Sequence, residues 1–254
     1  MIILVSVTLF ILGAIIASFA GVVAGRVGTG QSFITGRSRC DACNAHLKAF
    51  DLVPVISYLA SNARARCCGA RISVLAPVSE LVLGALFVLA YLHIGLTVAL
   101  LPMLFAISAL LALVLYDLAH QILPPVMLAI FVIMSAITGL SLSPSLPDFI
   151  TTVFVALAIA VFLALIHFLS RGRAMGLADA PLAFGLALLV GSYAFTGFVF
   201  SFWIGAVIGI ALLLKRAPGT RMGVEVPFAP YLAAGFLLAY FTQWNLFLYI
   251  GDLL

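Results

Sequence analysis

The sequence predicts an all-α polytopic membrane protein with about eight transmembrane helices, on three observations. Of its 254 residues, 65% are hydrophobic and 8% charged, where a soluble domain has roughly 45–50% apolar and about 25% charged. The apolar residues form continuous runs near the ~20 residues a helix needs to cross about 30 Å of hydrocarbon. The runs lack the roughly ten-residue alternation of a transmembrane barrel, so their backbones must be satisfied inside helices. A water-soluble globule is excluded. A net charge of +4 spread over so few charged residues also argues against a nucleic-acid surface, and the expected surroundings are a lipid bilayer.

The runs are 2–24, 75–94, 97–116, 126–143, 149–169, 177–194, 196–214 and 228–250. The first lacks a basic leader and meets its first positive charge only at Arg26, so it reads as a retained span rather than a cleaved signal peptide. Seven of the twelve basic residues (Arg26, Arg37, Arg39, Lys48, Arg64, Arg66 and Arg71) lie between runs one and two. Arg171 and Arg173 lie between five and six, and Lys215, Arg216 and Arg221 between seven and eight. With eight spans these loops share one side, and the enrichment of cytoplasmic loops in Lys and Arg places them in the cytoplasm with both termini outside. Gly and Pro are scattered rather than gathered in a linker. The simplest organisation is therefore one membrane domain, 1–254, with a cytoplasmic insertion at 26–74.

Among the acidic residues in or beside spans, Glu80, Asp117 and Asp179 are the candidate functional groups. An Asp at a helix centre costs roughly 2.5–3.5 kcal/mol on insertion scales, so such groups tend to face a bundle interior or a wet cavity. Asp117 ends the third run and Asp179 opens the sixth, which places both near the cytoplasmic surface at similar depth. Two close carboxylates share a proton, leaving one base to activate water and one acid for the leaving group, the chemistry of an aspartic protease. The alternative is that they mark helix ends, Asp179 lying in a first turn where the macrodipole favours it. Gly176 and Ala178 are small enough to admit an extended substrate beside Asp179. Glu80 is a further substrate-contact candidate, with capping, pairing to a loop Arg, or orienting the insertion as its structural readings. His120 reaches Asp117 only if their segment is helical.

The insertion carries Cys40-Asp41-Ala42-Cys43 and, later, Cys67-Cys68. The first pair has the spacing of a structural zinc site, and cytoplasmic thiols stay reduced. The second pair is adjacent, and neighbouring side chains rarely converge on one ion, so the expected set is three cysteines, Cys40, Cys43 and either Cys68 or Cys67, with His46 or water completing it. A packed loop without metal is the competing reading.

These features together resemble the prepilin peptidase (type IV leader peptidase) family over nearly the whole chain. Ala17-Ser18-Phe19, Val22-Val23 and Arg26 are similar to its opening motif, and Gly36-Arg37-Ser38-Arg39-Cys40 leads into its cysteine loop. Asp51-Leu52-Val53-Pro54 with Ser57 follows, then Cys68-Gly69, Ile72-Ser73, Pro77 and Glu80-Leu81 in the family's order. Asp117 ahead of Leu123-Pro124 falls on its first catalytic aspartate, Asp179 on the aspartate of its Gly-x-Gly-Asp motif, and Val226-Pro227-Phe228-Ala229-Pro230-Tyr231-Leu232 on its segment before the last span. Four positions depart: Ala178 stands for the motif's second Gly, Pro125 for an Asp, Gly21 for an Asn and Ala65 for a Cys. Ala178 matters if that backbone needs positive φ.

The resemblance implies an inner-membrane aspartic endopeptidase that removes the basic leader of type IV prepilins or pseudopilins at the cytoplasmic face, with Asp117 and Asp179 catalytic. It also implies S-adenosylmethionine-dependent N-methylation, an activity the family associates with the insertion, and zinc as a structural ion. A transporter whose carboxylates relay protons, and a relative that binds prepilins without cutting them, are the alternatives.

Overall fold

The computed structural model describes residues 1–27, 38–40, 42–173, 175–214 and 227–244. Gly36, Arg37, Asp41, Lys215, Arg216, Arg221, Val226 and the 245–250 end of the eighth run lie outside the described residues. Within them every predicted run contains a helix. In chain order these are α1 (Ile2–Arg26), the short α2 of the insertion (Ile56–Ala60), α3 (Leu75–Ile94), α4 (Leu100–His120), α5 (Pro125–Leu142), α6 (Leu146–Leu169), α7 (Asp179–Val190), α8 (Ala194–Leu214) and α9 (Ala229–Thr242).

Among the described residues, six helical stretches are long and apolar enough to cross a membrane: α1, α3, α4, α5, α6 and the 34-residue stretch Asp179–Leu212. The last combines the sixth and seventh predicted runs. Its first part, α7, has only 12 residues, about 18 Å of helix at 1.5 Å per residue and too short to span hydrocarbon alone. Gly191 stops it at φ +62, a conformation that costs glycine little, and a 3-10 turn at Gly191–Tyr193 leads into α8. Helix α7 is buried on almost every side, packed among α5, α6, α8 and α9. A helix apolar all round needs such a position.

Close crossings hold the other helices. Helix α1 turns Gly13, Ala14, Ala17, Ala20 and Ala24 inward, and a Cβ at Gly13 would come within 2.8 Å of the Leu83 carbonyl on α3. Small residues at such contacts allow the backbone approach that drives helix association in lipid. Gly235 of α9 sits against the Ser201 backbone of α8. The shared core runs through Leu83, Phe87, Met103, Ile107, Phe131, Leu163, Leu182, Leu186, Leu232 and Phe236. The outer faces remain apolar, with Leu4, Ile11, Phe154, Phe162, Leu165, Trp203 and Val207 exposed, as a bundle solvated by lipid requires.

Candidate active site

Helix α4 buries Met103, Ala106, Ile107, Leu110 and Leu113, a stripe at helical spacing that reaches Asp117 one turn before the helix ends. Asp117 is therefore carried into the bundle, 6% exposed. Its Oδ2 accepts a 3.2 Å hydrogen bond from the backbone N–H of Ala229, the first residue of α9. A carboxylate from one helix thus satisfies an N–H that another helix start leaves free, and the positive end of the dipole favours it.

Asp179 is the first residue of α7 and 7% exposed. Its Oδ2 accepts a 3.1 Å bond from the Gly176 N–H, and a Cβ at Gly176 would lie 3.4 Å from that oxygen, so the small residue lets the carboxylate approach the backbone. Ala178 has φ −70 and ψ −16; its backbone is right-handed and alanine fits without strain. The charges of Asp117 and Asp179 are close enough to interact, so helices α4 and α7 bring together two acidic groups 62 positions apart in sequence.

His167, near the end of α6, is a site residue that sequence reasoning does not single out. Its Nδ1 is 2.8 Å from the Met175 carbonyl, and its ring lies under Gly172. It braces the turn that delivers Asp179. A basic residue in a last helical turn is the available signal. His120 instead is exposed and stacks on Tyr116 at 4.4 Å between ring centroids. Pro125 occupies the first position of α5, where its fixed φ and missing N–H suit a helix start.

Glu80 is 7% exposed, and its Oε2 accepts a 2.7 Å bond from the Val55 N–H. Of its sequence readings, the structure realises the tie to the insertion. Val55 has φ +60 and ψ −47, an outlier for a β-branched residue.

The cysteines correct one expectation. All four sulfurs lie within 4.8 Å of one another, with Cys40 and Cys68 Sγ 3.8 Å apart and Cys43 and Cys67 Sγ 3.3 Å apart. Cys67 and Cys68 converge because they sit in a tight turn, closed by the Gly69 N–H to the Ala65 carbonyl at 2.7 Å. Adjacent side chains point to opposite faces only in extended chain. Four sulfurs at about 2.3 Å around a tetrahedral ion would be about 3.8 Å apart, so these residues fit a thiophilic ion. Backbone N–H groups of Ala42 and Cys43 lower the Cys40 thiol to about 7, whereas Cys67, beside the Cys43 and Cys40 sulfurs, is pushed up to about 12. Clustered thiols cannot all ionise without a cation between them.

The model of the bacterial peptidase A24 N-terminal domain matches residues 11–94. The prepilin leader peptidase/N-methyltransferase of Bacillus subtilis (strain 168) is 33% identical over 233 residues, 91% of this chain and 92% of that protein. The chain belongs to the prepilin leader peptidase/N-methyltransferase family. The relative of the same name from Legionella pneumophila is 32% identical over 219 residues, 81% of this chain and 72% of the relative. That from Myxococcus xanthus (strain DK1622) is 43% identical over 121 residues, 48% of this chain and 36% of the relative. No solved structure matches the chain.

Proposed function

We propose that this chain is a membrane aspartic endopeptidase that removes the basic leader from type IV prepilins or pseudopilins, with Asp117 and Asp179 as its catalytic pair. The observation that carries the reading is the meeting of these two buried carboxylates at the ends of α4 and α7. One carboxylate, ionised, takes a proton from water as the water oxygen bonds to the scissile carbonyl carbon. The other, protonated, stabilises the oxygen of the tetrahedral intermediate. Collapse breaks the C–N bond, and the amine leaves with a proton from the pair, giving a new carboxylate and a new N-terminus. Gly176 and Ala178 leave room for an extended substrate backbone beside Asp179.

In this reading the protein lies in the bacterial inner membrane with the 26–74 insertion, together with the carboxylates, at the cytoplasmic face, and with both termini outside, which requires the short α7, buried inside the bundle, to cross with its flanking turns as a span separate from α8. The basic loops support it through the positive-inside rule. The prepilin's apolar helix packs among the spans while its basic leader stays cytoplasmic. Thiolates of the cysteine cluster would hold zinc, which would brace the insertion. N-methylation comes to this chain from the names of its relatives. An open groove of about 390 Å³ between α5, α6 and α7 is lined by Val132, Leu157, Val161, Pro181, Phe184 and alanines. That apolar lining does not suit S-adenosylmethionine, a charged sulfonium nucleoside, and N-methylation is assigned instead to the insertion, with which the family associates it.

The test is co-expression with a type IV prepilin and the mass of the pilin's N-terminus. Wild type is expected to trim the precursor. Asp117→Asn and Asp179→Asn are each expected to lower the rate by about 10²–10⁴-fold, the usual share of acid–base catalysis. Full cleavage by either inserted variant overturns the pair.

A further inference from the structure

Two loops of the insertion share one backbone pattern at an offset of 25 positions. Each is closed by an antiparallel bridge, Arg39 with His46 and Arg64 with Arg71. In the first, the Cys40 N–H bonds to the Ala45 carbonyl at 2.9 Å and the Asn44 N–H to the Cys40 carbonyl at 2.8 Å. In the second, the Ala65 N–H bonds to the Ala70 carbonyl at 2.8 Å and the Gly69 N–H to the Ala65 carbonyl at 2.7 Å. Asn44 and Gly69 hold the matching left-handed positions, φ +57 and +73.

The side chains break this correspondence at one place. Cys43 matches Cys68, but Cys40 matches Ala65, which has no sulfur, and Cys67 falls on Ala42. Exchanging the loops would carry the Cys40–Cys68 contact of 3.8 Å onto a contact between position 65 and Cys43. The contact found there is between Cys67 and Cys43, at 3.3 Å. We infer that Cys67 has taken over the metal-ligand place that residue 65 leaves empty, so that one thiophilic divalent ion is held by the second and fifth residues of the first loop and the fourth and fifth of the second. A tight turn makes the exchange possible, because a side chain two positions along it can still reach the same centre. This inference rests on the metal reading above and adds the ligand set.

The test uses the full-length protein in detergent, stripped and titrated with Co²⁺, read by metal content and by the absorption of tetrahedral cobalt thiolate. Wild type is expected to bind one ion with the spectrum of four sulfurs. Cys67→Ala is expected to bind more weakly, by at least the roughly 10–100-fold that losing even an outer-shell partner costs, with a changed spectrum. Ala65→Cys placed in the Cys67→Ala background is expected to restore both, an outcome that a general folding defect does not produce. Wild-type binding by Cys67→Ala, or a double variant no better than the single one, overturns the ligand exchange while the metal reading stands. Wild type that takes up no cobalt overturns both, and prepilin cleavage, measured separately, decides the peptidase reading on its own.

Discussion

Asp117 and Asp179 sit at helix ends inside a packed bundle, whereas the four cysteines sit on two loops where Cys40 is the one buried residue among the described positions 38–74. The carboxylates accept hydrogen bonds from backbone N–H groups of α9 and of the turn before α7. Their geometry comes from helix packing. The described part of the insertion has no apolar core to fix its loops, and a segment that small is ordinarily stapled by metal or disulfide. One region should therefore respond to changes in packing and the other to changes in metal.

The largest expected effect is on the loop side. Structural zinc contributes apparent free energies of about 10–16 kcal/mol in small zinc-finger peptides, so chelation or Cys40→Ser should open the insertion. Limited proteolysis is expected to cut within 38–74 while the spans stay intact. Protection of the insertion after metal removal would mean that the loops hold themselves.

The converse perturbation is Gly235→Val, whose added atoms meet the Ser201 backbone. Overpacking costs typically about 1–3 kcal/mol. Because α9 also supplies the Ala229 N–H to Asp117, thermal stability and prepilin cleavage should fall together. Cobalt binding by the insertion should stay at wild-type strength; loss of metal as well would show that the two regions are one cooperative unit.

How far each region is legible in the sequence follows from the same contrast. The apolar runs and the stripe from Met103 to Leu113 already point Asp117 inward, because helical spacing is local. The bond between Asp117 and Ala229 crosses 112 positions and has no local signature. Nor does the shortness of α7: its run is apolar to position 194, and only the positive φ at Gly191 ends the helix early. The adjacent Cys67 and Cys68 mislead for a related reason, since pairing them on one ion requires a turn, which the dipeptide does not announce. The role of His167 is hidden in the same way, because it depends on a turn eight residues later.

Glu80 joins the two regions, and it offers a smaller effect. Its carboxylate bonds to the N–H of Val55, whose backbone stands where β-branched residues rarely go. Strained conformations of this kind cost about 1–3 kcal/mol and persist only when the surroundings impose them. Glu80→Ala should release the segment, lowering stability by about 1.5–3 kcal/mol, the range for hydrogen bonds to charged groups. Glu80→Gln keeps an acceptor and should lose less. Val55→Gly removes the strain and should restore part of the loss in Glu80→Ala; if thermal unfolding shows no such rescue, Glu80 does not act through this turn.

The smallest effect concerns the motif departure beside Asp179. If a positive φ were needed at position 178, alanine there would strain the turn that presents the carboxylate, and glycine would raise activity. The backbone is right-handed, at φ −70, so the alanine Cβ brings no strain. Ala178→Gly should therefore leave cleavage within about twofold, a difference of roughly 0.4 kcal/mol in the barrier. A large gain in rate would mean that the turn adopts another conformation when substrate arrives, and that the carboxylate site is less fixed by helix packing than its buried position implies.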